Sequence, residues 1–354
     1  MPEIEKIDTP AVLIDVSLVE KNLARAQGHI TARGMLARPH IKTHKLPRFA
    51  QRQVELGATG ITCQKLSEAE VMADHGIDDI LITYNILGEG KLGRLRALAD
   101  KIDLSVCADN AHVVSSLAGA MSGAARPLAV LVECDTGSLR CGVMSPQQAL
   151  DLALKIDAAQ GLEFKGLMTY PPMNKGEETN AKLTAIRDHL NAAGLKVEVI
   201  STGGTPDLWD SSPSIATEYR PGTYIYNDIM QIGFGAATLD DCALSVLATV
   251  ISCPDADRAV LDSGSKTLSS DPCQTPGFGH IVEYPDVVLT HMNEEHGMLN
   301  LSGCDPERRP KVGDRVHIIP NHVCVVSNLF NSVYLVQDNG NLEMVPVTAR
   351  GCLT

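Results

Sequence analysis

The stretch Pro127-Leu128-Ala129-Val130-Leu131-Val132-Glu133 decides the fold, because it is the most apolar of a series of short strand-like runs. These runs alternate with longer amphipathic stretches between residues 10 and 230. Apolar strands separated by helices in this way indicate a parallel sheet covered on both faces. About eight such units over roughly 220 residues fit a (β/α)8 TIM barrel better than an open doubly wound sheet. The other predicted strands are Ala11–Ile14, Gly60–Cys63, Asp79–Ile82, Asp103–Val106, Phe164–Met168 and Val197–Ile200.

The segments between these strands carry helix signals. Ser67-Glu68-Ala69-Glu70 has the spacing of a capping box, which predicts a helix that starts at Ser67. Amphipathic patterns predict further helices from Ser17, over Lys91–Leu98 and near Asn110.

The pattern changes after Phe234-Gly235, where short alternating strands are punctuated by Gly, Pro, Asp and Asn. Since a chain of 354 residues exceeds the size of a single core, two domains are expected. We predict an α/β chain with a barrel over residues 8–235 and a mostly antiparallel β domain over residues 236–354, and we expect residues 1–7 to belong to the β domain as well. The strands predicted for the β domain include Ser245–Ile251, Arg258–Leu261, Arg315–Ile319 and Ser332–Val336.

Composition excludes several classes of partner. The net charge of −13 argues against nucleic acid and anionic membranes, and an aromatic content of 4 % argues against base stacking. The ten cysteines are scattered without a CxxC pair, which is typical of reduced thiols. The charged N-terminus has no apolar signal region, and no long apolar run follows it. We therefore expect a cytoplasmic protein that acts on a small molecule.

His322 and Cys324 stand two residues apart in Pro320-Asn321-His322-Val323-Cys324, before a segment rich in strand formers. Side chains at i and i+2 of a strand point to one face, so this pair could bind one divalent metal such as Zn²⁺. Two protein ligands would leave positions for water or substrate. The alternative is an ordinary strand that carries one satisfied histidine and one buried cysteine.

A second candidate is the basic segment Arg38-Pro39-His40-Ile41-Lys42-Thr43-His44-Lys45. On a barrel this segment would follow an early strand at the C-terminal end, where barrel active sites are built. The crowding of positive charge favours a lysine that acts as a nucleophilic amine. The alternative is a solvated basic loop.

The glycine turn in Ser201-Thr202-Gly203-Gly204-Thr205 follows the apolar strand Val197–Ile200. Glycines let backbone N–H groups approach a phosphate closely, and the hydroxyls of Ser201, Thr202 and Thr205 add donors. Late barrel strands are where phosphate sites usually lie. The alternative is an ordinary turn, since a Gly-Gly pair by itself indicates nothing more.

The basic segment resembles the pyridoxal-phosphate attachment segment of the D-threonine aldolase/D-serine dehydratase family, fold-type III enzymes that share the alanine racemase-like fold. The resemblance continues in order along nearly the whole chain. It runs through Asp135–Gly142, Ser201–Pro206, Glu218–Tyr224, Asp262–Lys266 and Pro320–Cys324.

This resemblance implies roles for single residues. Lys42 would form the Schiff base with pyridoxal phosphate, Arg140 would contact its phenolic oxygen, and Tyr170 would hydrogen-bond its pyridine nitrogen. The run Gly222-Thr223-Tyr224 would make a second phosphate contact. His322 and Cys324 would bind the divalent metal, with Zn²⁺ favoured over Mn²⁺ or Mg²⁺. The residues that could line a substrate pocket are His44, Asn227, Asp228 and Asp271.

The family implies a lyase that acts on D-3-hydroxy amino acids, with a homodimeric assembly. Its aldolases typically show His-Cys-Asp at the metal, whereas its dehydratases show His-x-Cys. The present His322-Val323-Cys324 therefore favours a D-serine or D-3-hydroxyaspartate dehydratase that yields an oxo acid and ammonia. A D-threonine aldolase, which yields glycine and an aldehyde, remains the alternative.

Two other classes remain open. An amino-acid racemase shares the fold, but it needs two bases and no metal to hold a hydroxyl group. A non-catalytic pyridoxal-phosphate carrier would lack the predicted β domain.

Overall fold

A computed structural model describes residues 4–210 and 214–354, and its first two thirds alternate between strands and helices. The strands are β1 (Ala11–Asp15), β2 (Leu36–Ala37), β3 (Ile61–Cys63), β4 (Asp79–Ile82), β5 (Asp103–Ala108), β6 (Leu128–Glu133), β7 (Leu162–Met168), β8 (Val199–Thr202), β9 (Glu218–Tyr219), β10 (Leu244–Asp255), β11 (Arg258–Leu261), β12 (Gly279–Ile281), β13 (Val288–Met292), β14 (Gly297–Asn300), β15 (Arg315–Pro320), β16 (Ser332–Val336) and β17 (Leu342–Pro346). The helices are α1 (Val16–Ala32), α2 (Pro47–Glu55), α3 (Leu66–Asp74), α4 (Glu89–Ala99), α5 (Ala111–Met121), α6 (Pro146–Asp157), α7 (Gly176–Ala192), α8 (Ile229–Gly233) and α9 (Val323–Leu329).

In the described part of the chain, eight parallel strands form one sheet in the order β2-β9-β8-β7-β6-β5-β4-β3. A parallel bridge between His40 and Thr62 joins the two ends of this order, so the sheet closes. Inward-facing side chains of successive strands form a buried layer of Leu81, Cys107, Leu131 and Met168. A closed parallel sheet with such a layer confirms the predicted TIM-like barrel.

The helix starts follow local capping. The side chain of Asn110 accepts a hydrogen bond from Val113 N at 3.0 Å, so α5 begins where the sequence predicted it. The predicted start at Ser67 is wrong, because α3 begins at Leu66 with Lys65 as its N-cap. Glu68 Oε2 accepts from the backbone N of Lys65 at 3.1 Å, so the glutamate that caps the helix is Glu68 rather than Glu70.

A second sheet of nine strands in the described residues has the order β11-β14-β13-β12-β15-β10-β1-β16-β17, with a further pairing of β10 and β11. Its pairs are antiparallel except that of β1 with β16. One core cluster of this sheet consists of Ile7, Ala11, Leu13 and Leu247. The predicted antiparallel β domain is therefore present.

The predicted boundary between the domains differs from the structure. The sheet unit comprises the described residues up to Arg25, Thr43–Leu46 and Thr223–Arg350, and the barrel unit comprises Ala26–Lys42, Pro47–Gly222 and Gly351–Thr354. The chain thus passes between the units several times, not once near residue 235. Of residues 1–7, which were predicted to belong to the β domain, residues 1–3 lie outside the described residues.

The strand Ala11–Ile14, predicted as the first barrel strand, is also misassigned. It pairs with β10, with Ala11 opposite Leu247, and with β16, with Leu13 opposite Tyr334. Its four apolar residues are all buried, as in a barrel strand, so its composition does not distinguish the two sheets. The barrel strand that replaces it is β2, whose two residues are too few to show a periodicity.

Among the described residues, none of the helices combines the length and the apolarity that a membrane span requires.

Candidate active site

Lys42 lies in a single 3-10 turn, Ile41–Thr43, directly after β2 at the C-terminal end of the barrel. Its side chain is half-buried, and its amino group makes no hydrogen bond or ion pair with any described residue. The backbone N of Lys42 donates to His40 Nδ1 at 3.3 Å, and His40 Nε2 lies 3.2 Å from Gln64 Oε1. The backbone around Lys42 is thus fixed, while its amine is available.

The predicted crowding of basic side chains around Lys42 is not found. Arg38 Nε donates to Glu218 Oε2 at 2.8 Å, and its Nη1 donates to Asp79 Oδ1 at 2.5 Å. Burial opposes the charge of Arg38, but these two carboxylates outweigh it and raise its pKa. Asp79 is the first residue of β4, so Arg38 points to the N-terminal end of the barrel. Lys45 Nζ instead donates to the carbonyl of Ala349 at 3.4 Å.

The glycine turn after β8 forms a narrow backbone loop. Gly203 has φ +100°, and a Cβ there would lie 2.5 Å from the ring of Tyr219. The next loop approaches it, since the backbone N of Gly222 donates to Thr205 Oγ1 at 3.3 Å. Two loops at one edge of the sheet therefore bring backbone N–H groups and a hydroxyl together, a donor set that suits a phosphate group.

Ser201 and Thr202 are placed differently from the residues that follow them. Both are still in β8, so their side chains point in opposite directions. Ser201 Oγ accepts from Arg220 Nη1 at 2.7 Å. Thr202 Oγ1 is buried, makes no hydrogen bond within the described residues, and lines a cavity of about 50 Å³ with Asp207 and Tyr219. The residue of this loop that contacts Gly222 is thus Thr205.

Arg140 and Tyr170 lie close to each other. The guanidinium carbon of Arg140 stands 4.8 Å from the centre of the Tyr170 ring. A Cβ on Gly204 would lie 3.1 Å from Cε2 of Tyr170, so this ring borders the glycine turn. The loops that carry both residues are joined by Ser138 Oγ, which donates to the carbonyl of Tyr170 at 2.6 Å. Arg140, Tyr170 and Gly204 therefore form one surface of the barrel unit.

Two charged residues of this region were not given a role by the sequence. Arg220 is buried and donates both to Ser201 Oγ and to the carbonyl of Thr169, each at 2.7 Å. Burial lowers its pKa. Glu133 is 5 % exposed, and burial raises the pKa of its carboxyl group although Arg140 opposes this. Each stands at the end of a barrel strand, Arg220 within the motif Glu218–Tyr224 and Glu133 just before the motif Asp135–Gly142, which is the signal that could have identified them.

His322 and Cys324 do not lie on a strand, and the predicted strand context is wrong. His322 is the N-cap of α9, and Cys324 is the second residue of that helix. The segment Val323–Val326 reads as a strand because it is rich in β-branched residues. The helix forms there because Asp228 Oδ2 accepts from the backbone N of Val323 at 3.1 Å.

The two side chains nevertheless lie together in the sheet unit. His322 Nδ1 is 2.9 Å from Asp228 Oδ2. Cys324 Sγ is 3.1 Å from Thr43 Oγ1 and 3.8 Å from Thr223 Oγ1. Burial opposes the protonation of His322, but hydrogen bonds with Asp228 and Cys324 outweigh it and raise the pKa of His322 to about 10. This cluster of hydrogen bonds defines the candidate metal centre.

The donor set of this centre fits a metal with two protein ligands. An imidazole nitrogen and a sulfur are donors that Zn²⁺ accepts readily, while the carboxylate of Asp228 occupies the outer position behind the imidazole. Within residues 4–210 and 214–354, no group of three or more His, Cys, Asp or Glu side chains is arranged to hold a metal. A metal at His322 and Cys324 would complete its coordination with water or substrate.

Thr223 and Tyr224 belong to the sheet unit rather than to the phosphate loops. Thr223 faces Cys324, and Tyr224 is buried with its carbonyl accepting from Asn227 Nδ2 at 3.1 Å. The chain passes between the units at the bonds Lys42–Thr43 and Gly222–Thr223.

The residues proposed to line a substrate pocket take structural positions. His44 is buried, and its Nδ1 accepts from the backbone N of Leu46 at 3.1 Å. Asn227 is buried and donates to backbone carbonyls. Asp271 Oδ2 accepts from Ser269 Oγ at 2.8 Å. Asp228 is fully buried and holds His322.

Comparisons with known proteins cover the whole chain. A family model described as alanine racemase, N-terminal domain, matches residues 14–229, and one described as putative serine dehydratase domain matches residues 243–336. A D-threonine aldolase from Arthrobacter sp. is 33 % identical, with 98 % of this chain and 93 % of that protein aligned.

Solved structures of similar enzymes also match nearly the whole chain. A D-threonine aldolase from Filomicrobium marinum has a TM-score of 0.90 and 32 % identity, with 98 % of this chain and 97 % of that chain covered. A D-threo-3-hydroxyaspartate dehydratase variant, solved in the metal-free form, has a TM-score of 0.89 and 30 % identity, with 96 % and 97 % covered.

Proposed function

Because this chain belongs to the D-threonine aldolase/D-serine dehydratase family and has its alanine racemase-like fold, we propose that it is a lyase for D-3-hydroxy amino acids. We further propose that it uses pyridoxal phosphate and a divalent metal. The observation that supports this best is the amine of Lys42, which has no partner among the described residues and lies at the C-terminal end of the barrel.

The barrel unit offers groups for each part of the cofactor. Backbone N–H groups of the loops at Gly203 and Gly222, with the hydroxyl of Thr205, would hold its phosphate. Arg140 and Tyr170 would contact the polar atoms of its ring. When bound, pyridoxal phosphate withdraws electrons from the bonds at the α-carbon of an amino acid. Lys42 would first hold the cofactor and then, once substrate displaces it, accept the α-proton on its amine.

The sheet unit offers His322 and Cys324 for the metal, and one solved relative is described as a metal-free form. Zn²⁺ is the metal that this nitrogen and sulfur pair favours, with Mn²⁺ and Mg²⁺ less suited to a thiolate. Such a metal would supply a Lewis acid for the β-hydroxyl group of the substrate. The protein's own part is to hold the imidazole and the thiolate side by side.

Within this class we favour a dehydratase for D-serine or D-3-hydroxyaspartate, because the second ligand in His322-Val323-Cys324 is a thiolate. Transfer of the α-proton to Lys42 and loss of the β-hydroxyl group as water would give an enamine, which a second water molecule would hydrolyse to an oxo acid and ammonia. The second candidate is a D-threonine aldolase, which the identity of 33 % to the Arthrobacter enzyme favours. There a base would take the hydroxyl proton and the bond between Cα and Cβ would break.

The products distinguish the two reactions. Protein loaded with pyridoxal phosphate and Zn²⁺ is incubated with D-serine, D-threonine or D-3-hydroxyaspartate. Ammonia and an oxo acid in equal amounts would support the dehydratase, whereas glycine and an aldehyde would support the aldolase. If none of the three substrates gives either set of products, the lyase function is contradicted. Conversion to the L-isomers would identify a racemase.

A further inference from the structure

One buried carboxylate organises the candidate metal centre. Asp228 has no exposed surface, and its Oδ2 lies 2.9 Å from His322 Nδ1 and accepts from Val323 N at 3.1 Å. Its Oδ1 accepts from the backbone N of Gln231 at 2.8 Å, which caps α8. The same side chain therefore fixes the first turn of α8, the first turn of α9 and the imidazole between them.

The contact with Asp228 decides which nitrogen of His322 carries hydrogen. An ionised carboxylate only accepts hydrogen bonds, so the hydrogen of a neutral imidazole must lie on Nδ1. The lone pair is then on Nε2, the only ring nitrogen that could bind a metal. Histidine ligands in metal sites are commonly held in this way by a carboxylate behind the ring.

We propose that Asp228 is a positioning residue of the metal centre, one that holds His322 by Nδ1 and so leaves Nε2 as the nitrogen to bind the metal. The inference rests on the proposed function, because it assumes that His322 and Cys324 bind the metal. The sequence suggested Asp228 only as a residue that could line a substrate pocket, not as one that holds a metal ligand.

The substitution Asp228→Asn tests this role. Asparagine keeps the volume and an oxygen for one helix cap, but its NH₂ group can only donate to the ring. Nδ1 would then have to accept, and the hydrogen would move to Nε2. We expect the affinity for Zn²⁺, measured by competition with a chromophoric chelator on the cofactor-loaded protein, to fall about 10- to 100-fold. In the metal-free protein, at a pH above the pKa of His322 where the ring is neutral, the ¹⁵N spectrum should show the N–H signal move from Nδ1 to Nε2.

A matched control is available in the same unit. Glu283 Oε1 lies 2.6 Å from His317 Nδ1, and its Oε2 accepts from His317 N at 2.9 Å. Glu283→Gln therefore alters a similar pair away from the centre, and Zn²⁺ affinity should not change. If Asp228→Asn does not fold, Asp228→Ser keeps a favoured N-cap for α8 and should give a similar fall.

The outcomes separate this inference from the proposed function. Unchanged Zn²⁺ affinity in both Asp228 variants, together with loss of Zn²⁺ in His322→Ala, would overturn the role of Asp228 and leave the metal site in place. Unchanged affinity in His322→Ala and Cys324→Ala would overturn the metal site itself.

Discussion

Lys42 differs from the basic residues around it because its amino group has no partner among the described residues. Arg38 is held by the carboxylates of Asp79 and Glu218, and Lys45 donates to a backbone carbonyl. A lysine amine without a partner, at the C-terminal end of a barrel strand, is available for covalent attachment of a carbonyl compound. The sequence singled out this residue as the candidate, and that assignment stays a prediction; it did not predict the contacts of the basic neighbours Arg38 and Lys45.

The substitution Lys42→Ala should remove the visible absorbance of the lysine-bound cofactor and abolish turnover, because no other amine would be in place to hold it. Absorbance spectra of the purified protein with added pyridoxal phosphate provide the measurement. Lys266→Ala is the control, since Lys266 forms ion pairs with Glu294 and Glu295 on the surface of the sheet unit. Retained absorbance in Lys42→Ala would assign attachment to a different lysine.

Glu133 is a buried carboxyl group at the end of β6, and burial raises its pKa above the ordinary value of 4.5. The folded protein therefore holds the proton of Glu133 more tightly than the unfolded chain does. Its stabilising contribution is fully present below the unfolded pKa and is lost as pH rises through the folded pKa. Above the folded pKa, the buried carboxylate is ionised and opposes folding.

We expect Glu133→Gln to be more stable than the unaltered protein at about pH 8, with an advantage that shrinks towards about pH 5. The amide keeps the shape of the side chain and carries no charge at either pH. Thermal unfolding at both pH values, at the same cofactor loading, provides the measurement. A variant that is less stable at the higher pH would show that the charge of Glu133 is balanced by a favourable contact.

At the scale of elements, the strands of the barrel were predicted well where they are long and apolar. β4, β5, β6 and β7 agree with their predicted ranges to within two residues at each end. α9 was mistaken for a strand because its helix depends on a cap from Asp228, 95 residues before Val323, which local sequence does not reveal. The glycine turn was placed correctly because Gly203 and Gly204 mark it directly. Arg220 was quoted within a motif, but its contacts with Ser201 and Thr169 required the fold.

Gly203→Ala should destabilise the protein and weaken cofactor binding, because alanine is strained at φ +100° and its Cβ would meet the Tyr219 ring. The strain alone costs about 1–2 kcal/mol, and the clash adds to it. Gly194→Ala is a matched control, since Gly194 has φ +86° with nothing within 4 Å of its Cβ position. Urea unfolding should show lower stability, and titration with pyridoxal phosphate weaker binding, for Gly203→Ala than for Gly194→Ala. Equal effects would mean that the turn tolerates a side chain.

At the scale of the whole molecule, the sequence predicted both the barrel and the antiparallel sheet. It did not predict which segments of the chain belong to each. Alternating strands and helices indicate the barrel, and short strands with polar turns indicate the second sheet. The local sequence of β1 carries no signal that it pairs with strands more than 200 residues later. A single boundary near residue 235 is the simplest interpretation of a change in pattern, and it misses Thr43–Leu46 and the segment from Thr223.

We expect the protein to form a homodimer, and the barrel unit carries apolar surface suited to a partner. Leu139 is 84 % exposed and Met144 is 74 % exposed, both in the loop after β6. Exposed apolar groups of this kind often mark interfaces. Light scattering should give twice the chain mass, and Leu139→Asp combined with Met144→Asp should halve it. Met344→Asp serves as the control, since it alters a 63 % exposed residue of β17 and should leave the mass unchanged. An unaltered protein that is a monomer would contradict the expectation.

The position of β1 has a consequence for synthesis on the ribosome. This strand is made before the eight barrel strands, yet its partners β10 and β16 are made only after all eight have emerged. Until then its apolar residues have no sheet to join, and such delayed long-range pairing slows folding and exposes a chain to aggregation. A fragment that stops after the barrel would keep β1 permanently without its partners. We therefore expect such a fragment to be poorly soluble, and removal of the residues before Ala26 to improve it.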